Sequence, residues 1–180
     1  MRNLKIRRVG GILYPNEDKT HLNALEIIKN SGYDYAYINH HSDKDDDGQL
    51  KKEHTHFLIE FPNPRWLSAI SDELGLQPNY LQPIRNKRGM LAYMIHLNDI
   101  TKYQYDLEEV KGTNLFLKDL EQIYDDYNNQ ELNGFERIYQ YILQENPNIN
   151  QLLSFVYDNK LLKVWKIYRQ DFKDLLYFNK

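Results

Sequence analysis

The chain has 180 residues, 23 basic and 26 acidic side chains, six histidines, fifteen tyrosines and no cysteine. That length suits one domain, with or without a small appendage, and 41% hydrophobic content supplies a core without covalent staples. The absence of cysteine rules out disulfide frameworks, thiolate zinc sites and cysteine nucleophiles. No apolar run approaches about 18 residues, so no transmembrane helix and no membrane partner are expected. The charged start leads into no apolar signal core, so a cytoplasmic protein is expected.

Taken in chain order, residues 5–14 hold Ile6, Val9, Ile12 and Leu13 and end at Pro15, the pattern of a strand in which Gly10-Gly11 permits a bulge. Asn16 is placed to cap a helix over 17–30, with Leu22, Leu25 and Ile28 on its apolar face and Gly32 as its stop. Residues 33–41, rich in Tyr and Ile, read as a second strand, and 42–52 as a polar hairpin loop. Over 54–61, Thr55, Phe57, Ile59 and Phe61 point one way and His54, His56, Leu58 and Glu60 the other. Asn63-Pro64 opens a predicted helix through Leu74, stopped by Gly75. A strand is expected at 82–85, a short helix at 88–97 and a final strand at 101–110.

Beyond about residue 112 the spacing turns helical, with segments at 115–127, 134–144, 149–157 and 161–178 divided by Asn-rich breaks and Pro147. The expected class is α+β, a strand-rich domain over 1–112 followed by a small all-helical domain over 113–180.

The formal net charge of −3 argues against coating nucleic acid by bulk electrostatics. Charge is uneven, however. Residues 1–105 carry 14 basic and 13 acidic groups, 106–158 carry 3 and 11, and 159–180 carry 6 and 2. The acidity belongs to the middle segment and leaves room for a local basic groove in the first half.

Five of the six histidines lie between positions 40 and 96. His54-Thr55-His56 is the sharpest local signal, because residues two apart on a strand share a face with Cα atoms roughly 7 Å apart. A hairpin brings the preceding strand's His40-His41 alongside them, with Asp43 in the loop. Two or three imidazoles and a carboxylate suit Mn²⁺, Mg²⁺ or Zn²⁺, a choice that spacing does not make. An isolated His-x-His pair reads more simply as two half-exposed surface residues. His21, in the first helix, is expected at the surface.

A cation held by neutral ligands can stabilise charge on a phosphate oxygen. The chain has no cysteine and no serine in a nucleophile setting. Tyr93 lies on the short helix after the basic run Arg85-Asn86-Lys87-Arg88, with His96 one turn on. By spacing alone it also fits ordinary packing beside Met90, Met94 and Leu97.

Four segments together resemble the small plasmid replication initiators of rolling-circle replicons in Gram-positive bacteria, members of the HUH endonuclease superfamily. They are Ile12-Leu13-Tyr14-Pro15; His40-His41-Ser42-Asp43 with Gly48 to Glu53; His54-Thr55-His56; and Leu91-Ala92-Tyr93-Met94-Ile95-His96 with Lys102 to Tyr105 downstream. The resemblance implies a nuclease domain built on a central antiparallel sheet flanked by helices. It implies that His54 and His56 ligate a divalent metal, Mn²⁺ or Mg²⁺, and that an upstream histidine and aspartate join them. Ungapped spacing selects His40 with Asp43; a one-residue insertion selects His41 with Asp45.

The resemblance further implies that Tyr93 is the nucleophile, with Tyr103 and Tyr105 as rivals on a predicted strand. The implied reaction nicks single-stranded plasmid origin DNA, links a 5′ phosphate to the tyrosine and frees a 3′ hydroxyl primer. Lys51, Lys52, Arg85, Lys87 and Arg88 are the candidate DNA-backbone contacts. The C-terminal helices, in similar initiators, assemble a homo-oligomer, and 150–157 can form half of a helix-turn-helix. The rivals are a relaxase or transposase of the same superfamily and a non-catalytic origin-binding regulator with a structural metal. A histidine-based RNA phosphoesterase needs a second His-apolar-Thr/Ser repeat that this chain lacks.

Overall fold

Two alternating segments build the centre of the protein. The computed structural model describes residues 4–99 and 101–178, with Gln130 and Glu131 described by backbone alone. β1 (Lys5–Leu13) and β3 (His54–Trp66) pair antiparallel, with Val9 opposite Ile59 and Leu13 opposite Thr55. β2 (Asp34–His40) lies on the other side of β3, antiparallel, with His40 opposite His54. Short edge strands β4 (Leu81–Pro83) and β5 (Lys111–Gly112) complete a five-stranded sheet in the order β4-β1-β3-β2-β5, with antiparallel pairing throughout.

One face of this sheet carries Val9, Leu13, Phe57, Ile59 and Phe61. They pack with Ala24, Leu25 and Ile28 of α1 (Lys19–Asn30) and Ile70 and Leu74 of α2 (Leu67–Leu74). The other face carries His54, His56 and Leu58 opposite His40, Ile38 and Ala36. It is the face that meets α3 (Lys87–Met94), whose Met94 carbonyl accepts from His40. The fold is α+β with a central antiparallel sheet. Phe57 is fully buried at its centre. Phe57→Ala is expected to cost about 3–5 kcal/mol of unfolding free energy, measured by urea denaturation.

Several boundaries differ from the spacing-based expectation for physical reasons. α1 begins at Lys19, and its cap is Asp18, which accepts from the Thr20 N–H at 2.7 Å, not Asn16. His21 is 4% exposed and Leu22 44% exposed, the reverse of expectation. The inward face of α1 is His21, Ala24, Leu25 and Ile28, a full i, i+3, i+4, i+7 stripe.

Asn63-Pro64 does not start a helix. β3 continues to Trp66 because Lys5 and Ile6 of β1 still pair with Trp66 and Arg65. The prolines there are tolerated because pairing with β2 ends at Glu60. Residues 101–110 are not a strand: they form turns and a 3₁₀ turn at Leu107–Glu109, capped reciprocally by Asp106 and Glu109.

The chain divides into two compact units, Met1–Tyr124 and Asp125–Lys180. α4 (Asn114–Glu145) is one continuous helix where the sequence spacing predicts two. Gly134 does not break it; a Cβ there would lie 2.7 Å from Val164 Cγ2, so the glycine admits a close neighbour. The second unit buries Ile138 and Ile142 against Leu152 and Val156 of α5 (Ile149–Asp158) and Val164, Trp165 and Phe172 of α6 (Leu162–Phe178). Among the described residues, no helix is long and apolar enough to cross a membrane.

Candidate active site

β2 and β3 place three imidazoles on one face, with centroids 5.4 Å apart for His40 and His54, 4.6 Å for His40 and His56, and 4.9 Å for His54 and His56. All three are buried, and one nitrogen from each lies within 4.8 Å of the others. Hydrogen bonding decides which nitrogen each ring offers. A carbonyl only accepts, so His54 Nδ1 donates to Lys52 O at 2.8 Å and His40 Nε2 donates to Met94 O at 2.7 Å. In the neutral rings the lone pairs then sit on His54 Nε2 and His40 Nδ1. His56 Nε2 is buried with no hydrogen-bond partner.

Burial pushes the His40 pKa below its ordinary value and takes His56 down to about 3, so both rings stay neutral. Asp43 Oδ2 lies 3.3 Å from His40 Nδ1 and 3.9 Å from His54 Nε2. Burial works against its charge, but His40, the Tyr105 hydroxyl and His96 outweigh burial and lower its pKa. A carboxylate oxygen and unprotonated ring nitrogens thus converge in a buried place, with the far nitrogens of His40 and His54 anchored on carbonyls. This donor set fits a divalent cation.

The pH dependence follows from His56. In EDTA, unfolded His56 takes up a proton near 6.5 and folded His56 only near 3, so the unfolded state binds more protons between those values. Stability is therefore complete above about pH 6.5 and falls toward pH 3 by roughly 1.4 kcal/mol per pH unit from this residue. Urea melts across that range check it; His56→Leu should remove that part of the slope.

α3 sets Tyr93 beside this group. Its ring centroid is 5.2 Å from His56 and 5.5 Å from His96, and the ring is half-buried. Lys102 Nζ lies 5.0 Å over the ring. α3 ends at Met94, two residues before the fully buried His96, which holds φ 55, a left-handed backbone uncommon outside glycine. His96 Nδ1 donates to Tyr103 O at 2.7 Å, which ties the 101–105 segment to the end of the helix. Tyr105 is buried and stacks on His40 at 4.4 Å; its hydroxyl accepts from Ser42 N and donates to Asp43 Oδ1, each at 3.0 Å.

The family model for the plasmid replication protein, origin binding domain, matches residues 4–121. The chain belongs to this family. A replication protein of Staphylococcus aureus is 27% identical over 113 residues, which are 61% of this chain and 55% of that protein. A replication protein of Onion yellows phytoplasma (strain OY-M) is 27% identical over 171 residues, 83% of this chain and 45% of that protein. The chain spans about half the length of these curated relatives.

Within this origin-binding domain the two upstream His–Asp pairs that spacing left open are placed differently. His40 groups with His54 and His56, and it groups a second time with Asp43 and His96; Asp43 also approaches His54. His41 is exposed, engaged by Ser42 Oγ at 2.7 Å and Glu109 Oε2 at 3.2 Å. Asp45 is exposed and its Oδ1 accepts the N–H groups of Asp47 and Gln49 within the loop.

The basic candidates also differ. Lys51, Arg85 and Arg88 are exposed. Lys52 is exposed, pairs with Glu17 and lies over the Tyr14 ring. Lys87 is half-buried between Glu60 and Asp119, over the Phe116 ring. Sequence spacing gave no role to Lys102 or to the Tyr105–Asp43 bond, since both depend on how 101–110 folds back onto β2 and α3.

Proposed function

We propose that this origin-binding domain of a plasmid replication protein is a strand-nicking enzyme of the HUH type, with Tyr93 as nucleophile. The observation that supports this reading is the buried convergence of His40, His54 and His56, with Asp43 against His40 and His54, beside a half-buried phenol on α3. A divalent cation such as Mn²⁺ or Mg²⁺ held there would polarise a phosphate oxygen and offset charge in the transition state. Tyr93 Oη attacks phosphorus in line: the tyrosyl O–P bond forms, the P–O3′ bond breaks, and the 3′ oxygen takes a proton to become the primer hydroxyl. The phenol proton leaves to solvent. Lys102, over the ring, places a positive charge beside the reacting group.

The partner is plasmid origin DNA, single-stranded at the nick, with Lys51, Lys52, Arg85 and Arg88 as backbone contacts. We place the nicking function in 1–112, and assign self-association to the helical unit. On α5, Ile149, Leu153 and Tyr157 are exposed at intervals of four residues, one apolar face that supports that assignment.

The test is incubation with single-stranded origin DNA and Mn²⁺, followed by a denaturing gel. A covalent protein–DNA adduct that EDTA prevents is expected. Origin binding with no adduct under any divalent metal favours the non-catalytic regulator instead.

A further inference from the structure

A second cleft opens on the other side of Tyr93. It has a volume of about 500 Å³ and lies between the end of β1, the segment Pro78–Pro83 and α3. That size falls within the roughly 300–1,000 Å³ range of small-ligand sites. Tyr93 and His56 form the wall it shares with the candidate active site, and Tyr14, Tyr80, Asn79 and Gln82 also line it. No Lys, Arg, Asp or Glu is among its lining residues. The neighbouring cleft of about 550 Å³ is the opposite, lined by Lys44, Lys51, Lys102 and several aspartates.

The composition selects the occupant. A phosphate needs cations or a nest of N–H donors, and this lining has no cation. Aromatic rings, aliphatic surface and two carboxamides fit a flat, uncharged ligand with donors and acceptors at its edge, which describes a nucleobase. The aromatic walls are braced before any ligand arrives. His21, buried and outside the metal group, accepts from Tyr14 N at 3.1 Å and meets the Tyr80 ring edge-on at 4.6 Å. Gly11 lets β1 approach Tyr80 closely; a Cβ there would lie 2.1 Å from Tyr80 O.

We infer that this cleft receives the unpaired base of a nucleotide flanking the scissile phosphate, with Asn79 and Gln82 reading its edge and Tyr14 and Tyr80 supplying the faces. The inference rests on the nicking reading and adds to it a specificity pocket that meets the metal group at the His56 and Tyr93 wall. It also gives buried His21 a purpose as a positioning residue for the walls.

The full chain is incubated with a degenerate pool of single-stranded DNA and Mn²⁺, and the strands captured in adducts are sequenced. A bias of roughly tenfold is expected at one position flanking the nick. In the Asn79→Ala, Gln82→Ala double variant that bias collapses while biases at other positions persist. Both side chains are exposed, so the fold is retained, which a melting curve verifies. A bias unchanged in the double variant overturns the inference.

A chemistry-free arm separates this from failure of the nicking reading. Tyr93→Phe protein in EDTA is titrated with short homopolymers of dA, dC and dT. Base-dependent affinity that the double variant loses supports the cleft even if no adduct ever forms. Equal affinity for all three homopolymers overturns it.

Discussion

Tyr93→Phe is expected to abolish the covalent protein–DNA adduct, a fall of roughly 10³-fold or more, while DNA binding and the melting curve stay close to those of the parent. The substitution removes one oxygen and keeps the half-buried ring that packs near His56 and His96. The effect is assigned to this tyrosine among fifteen because its nearest rivals are placed differently. The Tyr105 hydroxyl already donates to Asp43 and accepts from Ser42. Burial raises its pKa well above the ordinary value, the Asp43 carboxylate adds to this and the Ser42 N–H opposes it, so its phenolate is strongly disfavoured. Tyr103 is 50% exposed, its carbonyl is taken by His96, and its ring packs edge-on to Tyr105. Denaturing gels of the parent, Tyr93→Phe, Tyr103→Phe and Tyr105→Phe proteins measure this directly. Only the first should lose the adduct completely; Tyr105→Phe should show a weakened metal dependence through Asp43.

The second large effect is on the metal. Adding Mn²⁺ at a hundred times its dissociation constant should stabilise the protein by about 2.7 kcal/mol, seen as a rise in melting temperature. His54→Ala and His56→Ala should each remove most of that rise and reduce adduct formation by two orders of magnitude or so, because each takes one imidazole from the proposed His40–His54–His56 site. His56→Leu gives the sharper contrast. Its Nε2 is buried without a partner in the metal-free protein, a cost of about 1–3 kcal/mol that leucine does not carry. In EDTA this variant should therefore be as stable as the parent or more so, yet show no metal-induced rise. A variant that is simply misfolded would lose stability in both conditions.

Much of the central sheet is legible in the sequence, for a definite reason. β3 alternates between a core face and a histidine face, so Phe57, Ile59 and Phe61 announce the core, and His54 and His56 announce the opposite face. The hairpin connection then dictates that His40 sits opposite His54. Long-range contacts hide the rest. Tyr103 and Tyr105 mimic strand spacing, yet one is exposed and the other is folded inward by a hydroxyl bond to Asp43 that no local pattern encodes. His21 looks like a surface histidine until the end of β1 supplies the Tyr14 N–H that it accepts. The Asn-rich stretch after Tyr127 reads as a break between two helices, but α4 runs through it, and the missing side chain of Gly134 serves packing against Val164. The left-handed backbone of His96 and its side-chain bond to Tyr103 O are likewise not written in any local pattern.

The most direct test of the central claim is to locate the covalent bond. Adduct formed with single-stranded origin DNA and Mn²⁺ is digested with nuclease and protease, and the peptide that retains a nucleotide is sequenced by mass spectrometry. A 5′-phosphate ester on Tyr93 is the predicted result. A nucleotide on Tyr103, Tyr105 or any other residue would contradict it.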